Sequence, residues 1–383
     1  MDFASSHNIC DSRIGRSYTL FRLFIIILQP NHSRNLVPDM TPPEINRTPS
    51  ARLVSKPSLT KRVVYFFKLW SLKLITKIGF AVVRLLQSQP SELRPTYLKA
   101  YPCRPRLVNR IFVPKEFHES AELFPLYIDL HAGGHALLDA QFDDEFCATF
   151  TNKFNVLVAS IEYSKAPSNK FPKPTNDVVA IAQAIINDEK LPVDKSRVVL
   201  GGFSAGGNLS LSAGQILKDK IKGIASFYPI TDFTLPLAEK QQSRPYRHAK
   251  DLDDLKDWGP IWDWAYIPPG QNMRDPLLSV RYAQADNLPR WIYMVGAEYD
   301  MLANEARDTI SDLAGLDLRG RENGLYGFEK GTYKWTMARG VRHGFTHNLM
   351  NNPGPDAVAL NKKRTEEMLE DFGAWLFSGP FAS

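Results

Sequence analysis

Five residues, Gly202-Phe203-Ser204-Ala205-Gly206, constrain this chain more than any others because of what flanks them. Residues 198–201 form a short apolar run of strand character, and residues 205–217 form a helical pattern rich in alanine and leucine. A strand that becomes a helix within a residue or two needs small neighbours on both sides of the turn. Such a turn pushes the Ser204 hydroxyl outward and aims the positive end of the next helix at negative charge developing beside it. The segment therefore predicts a nucleophilic serine at the carboxyl end of a buried strand.

From residue 107 onward, short apolar strands alternate with helices, the pattern of a mostly parallel sheet covered on both faces. The strands are expected at 107–113, 126–130, 156–161, 198–201, 223–227, 292–295 and 336–338. The helices are expected at 176–186, 205–217, 304–313 and 362–376. A length of 383 residues suits one large core with appendages rather than several independent domains. The interval from Asp232 to Asp275 breaks the rhythm with a charged, proline-containing stretch followed by Trp258, Trp262, Trp264 and Tyr266. It reads as an inserted cap whose aromatic residues either wall a pocket or anchor a surface excursion to the sheet.

A serine hydroxyl is a weak nucleophile near neutral pH, so a base must take its proton and later return it to the leaving group. His343, in Val341-Arg342-His343-Gly344-Phe345, follows a strand end and is the best candidate; His347 is the nearby competitor. The base needs a carboxylate that fixes its tautomer and balances its charge. Asp300 follows the strand at 292–295, with Glu298 and Glu305 as alternatives, and the order Ser204, Asp300, His343 is the one found in α/β-hydrolases. The glycine-containing loop His131-Ala132-Gly133-Gly134-His135 follows the strand at 126–130. There the N–H groups of Gly133 and Gly134, with that of Ala205, are expected to hold an oxyanion. His131 is expected to tie down its own loop, and His135 either lines the pocket or lies on the surface. The two histidines are four residues apart across a turn rather than along a helix, so no metal site is expected. No dinucleotide fingerprint occurs and no cofactor is expected.

The formal charge of +6 is modest for this length and no base-reading motif accompanies it, so nucleic acid is not an expected partner. Cys10, Cys103 and Cys147 are too few to staple the fold and favour a reducing compartment. The apolar run at 19–28 is interrupted by Arg22 and is short for a span, although it has the character of a signal anchor. Asn31-His32-Ser33 and Asn46-Arg47-Thr48 match the glycosylation acceptor pattern, and residues 29–57 read as a connector. The second apolar stretch, 63–86, is amphipathic, with Arg62, Lys73, Lys77 and Arg84 on one side and Phe66, Phe67, Trp70, Leu74 and Phe80 among the rest. It is expected either to lie on a membrane surface or over an apolar active-site mouth, or else to pack on its own domain. An intracellular protein, cytoplasmic or peripherally membrane-associated, is the favoured reading.

Taken together, residues 106–378 resemble the hormone-sensitive-lipase-like branch of α/β-hydrolases, which includes arylacetamide deacetylase-like enzymes and microbial carboxylesterases. The resemblance rests on His131-Ala132-Gly133-Gly134, on Ser204 within Gly202 to Leu209, on Asp300 within Glu298 to Glu305, and on His343-Gly344-Phe345. Glu162-Tyr163-Ser164-Lys165-Ala166-Pro167, Phe171-Pro172, Asp177 and Tyr228-Pro229-Ile230-Thr231-Asp232 extend it. Ala132, Phe203 and Ser168 depart from the family's glycine and two acidic residues. The resemblance implies an α/β-hydrolase fold with a helical cap: a variable segment at 1–60, an N-terminal cap at 61–105, core at 106–232 and 276–383, and a cap insertion at 233–275. It implies a Ser204-Asp300-His343 triad acting on a small-molecule ester, with His131, His135, Phe203, Trp258 and Trp262 as supporting or pocket residues. An amidase or deacetylase using the same residues, and a non-catalytic ligand receptor on the same fold, are the competing readings.

Overall fold

Strands β3 (Phe124–Leu130), β4 (Leu157–Ile161) and β6 (Gly223–Phe227) are buried along their whole length, which explains why their sequences run apolar without alternation. A computed structural model describes residues 53–86, 89–115, 123–243, 253, 255–318, 324–347 and 354–382. The expectations for the apolar run at 19–28, the two glycosylation patterns and most of the connector lie outside these residues.

The remaining strands are β1 (Tyr97–Ala100), β2 (Val108–Phe112), β5 (Val193–Phe203), β7 (Trp291–Tyr299), β8 (Gly327–Lys330) and β9 (Tyr333–Arg342). Among the described residues they form one nine-stranded sheet in the order β1-β2-β4-β3-β5-β6-β7-β9-β8. Pairing is parallel from β4 through β3, β5, β6 and β7 to β9, and antiparallel at both margins. The order reverses after β4 and runs outward on both sides, so the carboxyl ends of the central strands open on a common crevice.

The marginal strands β1 and β8 are largely exposed and carry no apolar run, so no strand is expected there from sequence. Strand β5 begins five residues before the expected 198, because its polar start, Asp194-Lys195-Ser196-Arg197, lies near the protein surface.

Helices α1 (Leu59–Leu86), α2 (Asp144–Phe154), α3 (Lys173–Ile186), α4 (Ala205–Leu217), α5 (Leu237–Ser243), α6 (Gly259–Tyr266), α7 (Ala303–Leu313) and α8 (Pro355–Ser378) complete the fold. On one face of the sheet, α3 and α4 bury Val178, Ile181, Leu209 and Leu211 over β4, β5 and β6, and α7 buries Ala306 and Ile310 over β7 and β9. On the other, α2 and α8 contribute Phe146, Phe150, Phe372 and Trp375. A third apolar cluster joins Leu69 of α1 to Ile261, Ala265 and Tyr266 of α6, together with Phe171, Phe233 and Leu278. Hydrogen bonds also tie α6 to the core segment before α3: the Phe171 N–H donates to Tyr266 O at 2.9 Å, and the Lys170 side-chain Nζ to Ala265 O at 2.7 Å.

Candidate active site

Ser204 is the turn between β5 and α4 and holds φ +52°, ψ −112°, a conformation that a residue with a side chain rarely adopts. The surroundings enforce it. Ser204 N–H donates to Phe227 O of β6 at 2.9 Å. A Cβ on Gly202 would stand 2.4 Å from Leu130 O, and one on Gly206 would stand 2.0 Å from the same atom. The two glycines are thus required by the close approach of β3 to the turn, and the serine hydroxyl is turned away from the packed backbone.

His343, two residues beyond Val341 near the end of β9, brings its Nε2 to 2.8 Å from Ser204 Oγ. Its Nδ1 lies 2.7 Å from Asp300 Oδ2. With Asp300 accepting from Nδ1–H, Nε2 is the acceptor of the Ser204 hydroxyl. Asp300 is fully buried, its Oδ1 takes the Leu302 N–H at 2.9 Å, and the Tyr228 ring stands edge-on to the imidazole at 4.9 Å. The carboxylate and the imidazole plane are both fixed.

The alternatives are engaged elsewhere. Glu298 accepts the Gly340 N–H at 2.7 Å and the Tyr326 hydroxyl at 3.2 Å, which clamps the end of β9. Glu305 accepts the Thr231 N–H at 2.9 Å and pairs with Lys240 at 2.7 Å. His347 Nε2 lies 3.1 Å from Asp143 Oδ1 behind the sheet, and burial lowers its pKa to about 4.

In the loop after β3, Gly133 (φ +121°) and Gly134 (φ +57°) occupy the left-handed region. Their N–H groups, and that of Ala205 at the start of α4, donate to no backbone carbonyl among the described residues. His131 anchors this loop: Nδ1–H donates to Ala132 O at 2.6 Å, its ring stacks on Tyr163 at 4.3 Å, and the Tyr163 hydroxyl donates to His131 O at 2.8 Å. Burial, and then the Lys165 charge, lower its pKa and keep it neutral. His135 is buried rather than on the surface. It stacks on Tyr266 of the cap at 3.7 Å, its Nε2 lies 3.3 Å from Asn208 Oδ1, and burial takes its pKa to about 3.

These elements surround a cavity of about 230 Å³ lined by Ser204, Gly133, Gly134, Ala205, His343 and His135 from the core. Leu72 and Thr76 of α1 and Trp258, Trp262 and Tyr266 of the insertion close it from above. Of the expected pocket residues, Trp258 and Trp262 line the cavity, stacked at 5.6 Å, and Trp262 covers Gly134 so closely that a Cβ there would meet it at 2.9 Å. Phe203, expected as a supporting or pocket residue, is not among the lining residues: it is fully buried behind Ser204, packed against Phe146, Phe227 and His347, because successive residues of β5 point to opposite faces.

Three charged residues near the cavity were not foreseen. Asp253 reaches from the insertion to accept the Met301 N–H at 2.6 Å beside Asp300. Lys240 and Asp263 line the cavity itself, and burial pushes the Asp263 carboxyl up to about 6. Isolated charges in an irregular, charged stretch carry no spacing signal that would single them out.

The sequence profile of the alpha/beta hydrolase fold matches residues 127–321, just over half of the chain. Neutral cholesterol ester hydrolase 1 of Bos taurus is 36% identical over 130 residues, 30% of this chain and 32% of that protein. An arylesterase of Saccharolobus solfataricus is 31% identical over 185 residues, 47% of this chain and 59% of that protein. The chain thus spans about a third of the length of the bovine relative and three fifths of the archaeal one. An esterase structure from Pyrobaculum calidifontis has the same fold, with a TM-score of 0.62 at 21% identity over 81% of this chain and 92% of that one. From motif, topology and profile together, the chain belongs to the hormone-sensitive-lipase-like family of the α/β-hydrolase fold.

Proposed function

We propose that the protein is a serine carboxylesterase acting on small or medium acyl esters through an acyl-enzyme. The observation that carries this reading is the unbroken hydrogen-bonded series Ser204 Oγ, His343, Asp300 at the floor of an apolar cavity. Ser204 Oγ attacks the ester carbonyl carbon as His343 Nε2 takes the hydroxyl proton, and Asp300 stabilises the imidazolium. The carbonyl oxygen, now anionic, takes hydrogen bonds from the N–H groups of Gly133, Gly134 and Ala205, each such donor being worth roughly 3 kcal/mol in the transition state. Collapse breaks the C–O bond, and His343 hands its proton to the departing alcohol. Water, deprotonated by the same nitrogen, then attacks the acyl carbon and releases the acid and Ser204.

A cavity of about 230 Å³ with largely apolar walls favours an uncharged ester of modest size. Relatives named as an arylesterase and a cholesterol ester hydrolase act on esters, which supports the same bond as the target.

Intact-mass analysis after fluorophosphonate treatment tests the reading. One covalent adduct is expected, mapped to Ser204 and absent from Ser204→Ala. A folded protein labelled at another serine, or not labelled, would contradict it. Hydrolysis of each ester beside its matching amide separates esterase from amidase chemistry, and turnover of esters alone is expected.

A further inference from the structure

Helix α1 has two apolar faces, and among the described residues only one of them is covered. Tyr65, Leu69, Leu72, Thr76 and Gly79 recur at the three- and four-residue spacing of a single helix face. Leu69 is completely buried in the cap, and Leu72 and Thr76 line the cavity above Ser204. On the opposite side Val63, Phe67, Trp70, Leu74 and Ile78 recur at the same spacing, and all of them are exposed, Phe67 by 64% and Leu74 by 59%. A continuous apolar ridge of this kind on a solvent-facing helix marks a docking surface rather than a stray contact.

The charge of the helix identifies the occupant. Lys61, Arg62, Lys68, Lys73, Lys77 and Arg84 lie within its 28 residues, which contain no aspartate or glutamate. This excess equals the net charge of the whole chain, +6, so the remainder is electrically balanced and the positive charge is concentrated on one element. Lys73 turns inward to donate to Ala166 O at 2.6 Å and Arg84 pairs with Asp139 at 2.9 Å, while Lys61, Arg62, Lys68 and Lys77 are exposed. An apolar ridge beside such exposed cations on a single helix fits an anionic lipid surface, where the ridge enters the acyl boundary and these cations meet the headgroups. No helix among the described residues is long and apolar enough to cross a membrane, so α1 lies along such a surface rather than through it.

We infer that α1 docks the protein on an anionic membrane through its Val63–Phe67–Trp70–Leu74–Ile78 ridge, with its inner face roofing the cavity. The thickness of one helix, about 10 Å, then separates the lipid from the roof of the cavity. An ester dissolved in the bilayer is thereby brought close to Ser204. Docking stands independently of the hydrolase reading; only the delivery of an ester rests on it.

The test uses the full chain and the variant Phe67→Asp/Leu74→Asp, which alters only exposed side chains remote from the triad. Flotation is measured with phosphatidylcholine vesicles containing or lacking 30 mol% phosphatidylserine, at low and high salt. Wild type is expected to partition at least about tenfold more strongly onto the anionic vesicles at low salt, and to lose most of that preference at high salt. The variant is expected to lose binding by about tenfold or more. Its hydrolysis of a water-soluble short-chain ester is expected to stay within about twofold of wild type, while hydrolysis of an ester carried in anionic vesicles falls about tenfold. Equal vesicle binding by both proteins overturns the inference, since another part of the chain would then be the anchor. So does a wild type that shows no vesicle binding but is a dimer in light scattering that the variant dissociates, which makes the ridge an interface between copies. Absent hydrolysis of the soluble ester by wild type would count against the proposed function alone and leave the docking result standing.

Discussion

The floor and the roof of the cavity are built by different physics. On the floor, each reactive group is held by the parallel sheet and by directional bonds. Ser204 is fixed by its N–H to Phe227 O, Asp300 by the Leu302 N–H, and His343 by both partners. The roof depends on side-chain packing: Leu69 against the Ile261–Ala265–Tyr266 cluster, Trp258 on Trp262, and Tyr266 on His135. Directional bonding fixes a group to within a few tenths of an ångström, which proton transfer demands. Apolar packing tolerates repacking, which suits a surface that selects among substrates. Loss of a floor residue should therefore abolish turnover without unfolding the chain, whereas changes in the roof should alter substrate range and stability.

The sharpest break in this contrast is Asp300→Asn. The amide preserves volume and the Leu302 contact but removes the charge that balances the imidazolium and the acceptor that holds Nδ1–H. A fall in kcat of about 10²- to 10⁴-fold is expected, with circular dichroism and KM little changed. Glu298→Gln and Glu305→Gln should lower kcat by less than about tenfold, since those carboxylates serve the β9 clamp and the Lys240 pair. A folded Asp300→Asn protein with near-native kcat would remove the aspartate from the reaction.

Floor and roof meet at Gly134 and Trp262, which allows the two to be coupled experimentally. Gly134→Ala places a methyl group 2.9 Å from the indole at φ +57°, so both the loop and the ring must move. A loss in kcat/KM of about 10- to 100-fold is expected from displaced oxyanion donors. Trp262→Ala alone should cost less and mainly raise KM. In the double variant, the cost of Gly134→Ala should shrink, because the ring it collides with is gone. Kinetics over the four proteins give this coupling, and strict additivity would mean that the loop is distorted by its own backbone and not by the cap.

The same division governs how much could be read in the sequence. The floor was legible because its requirements are local: a small–bulky–Ser–small sequence after a strand, a glycine pair after β3, and an aspartate and a histidine after the later strands. Even Glu298 and Glu305, indistinguishable by spacing, separate only when β9 and the Thr231 turn come into view. The roof was less legible because its contacts join residues remote in sequence, such as Leu69 with Ile261, Asp253 with Met301, and Lys240 with Glu305. The α1 helix was half legible. Its periodicity left open a membrane surface, the active-site mouth or packing on its own domain, and the fold places one face over the cavity and leaves a second apolar face exposed.

The subtlest probe of the roof is Asp263, a carboxylate on the cavity wall near Trp262. Burial raises its pKa from 3.8 to about 6, against a partial offset from the Lys240 charge. In the unfolded chain the group titrates near its ordinary value. Between about pH 4 and 6 the folded protein thus binds a proton that the unfolded chain does not, and stability falls as pH rises through that window. Above about pH 6 the folded state carries the full cost of a desolvated carboxylate, on the order of 2–3 kcal/mol for a shift of this size. Asp263→Asn replaces it with a neutral amide of the same shape. The variant is therefore expected to be more stable than wild type at pH 7.5, by roughly 2 kcal/mol, and the difference should shrink towards pH 4.5 as the wild-type group becomes neutral. Denaturant unfolding of both proteins at a series of pH values measures this difference directly. A difference independent of pH would mean that the side chain is solvated in the folded state. If the pH dependence appears and the stabilised variant also turns over its best esters more slowly, then the unfavourable charge is retained for contact with substrate.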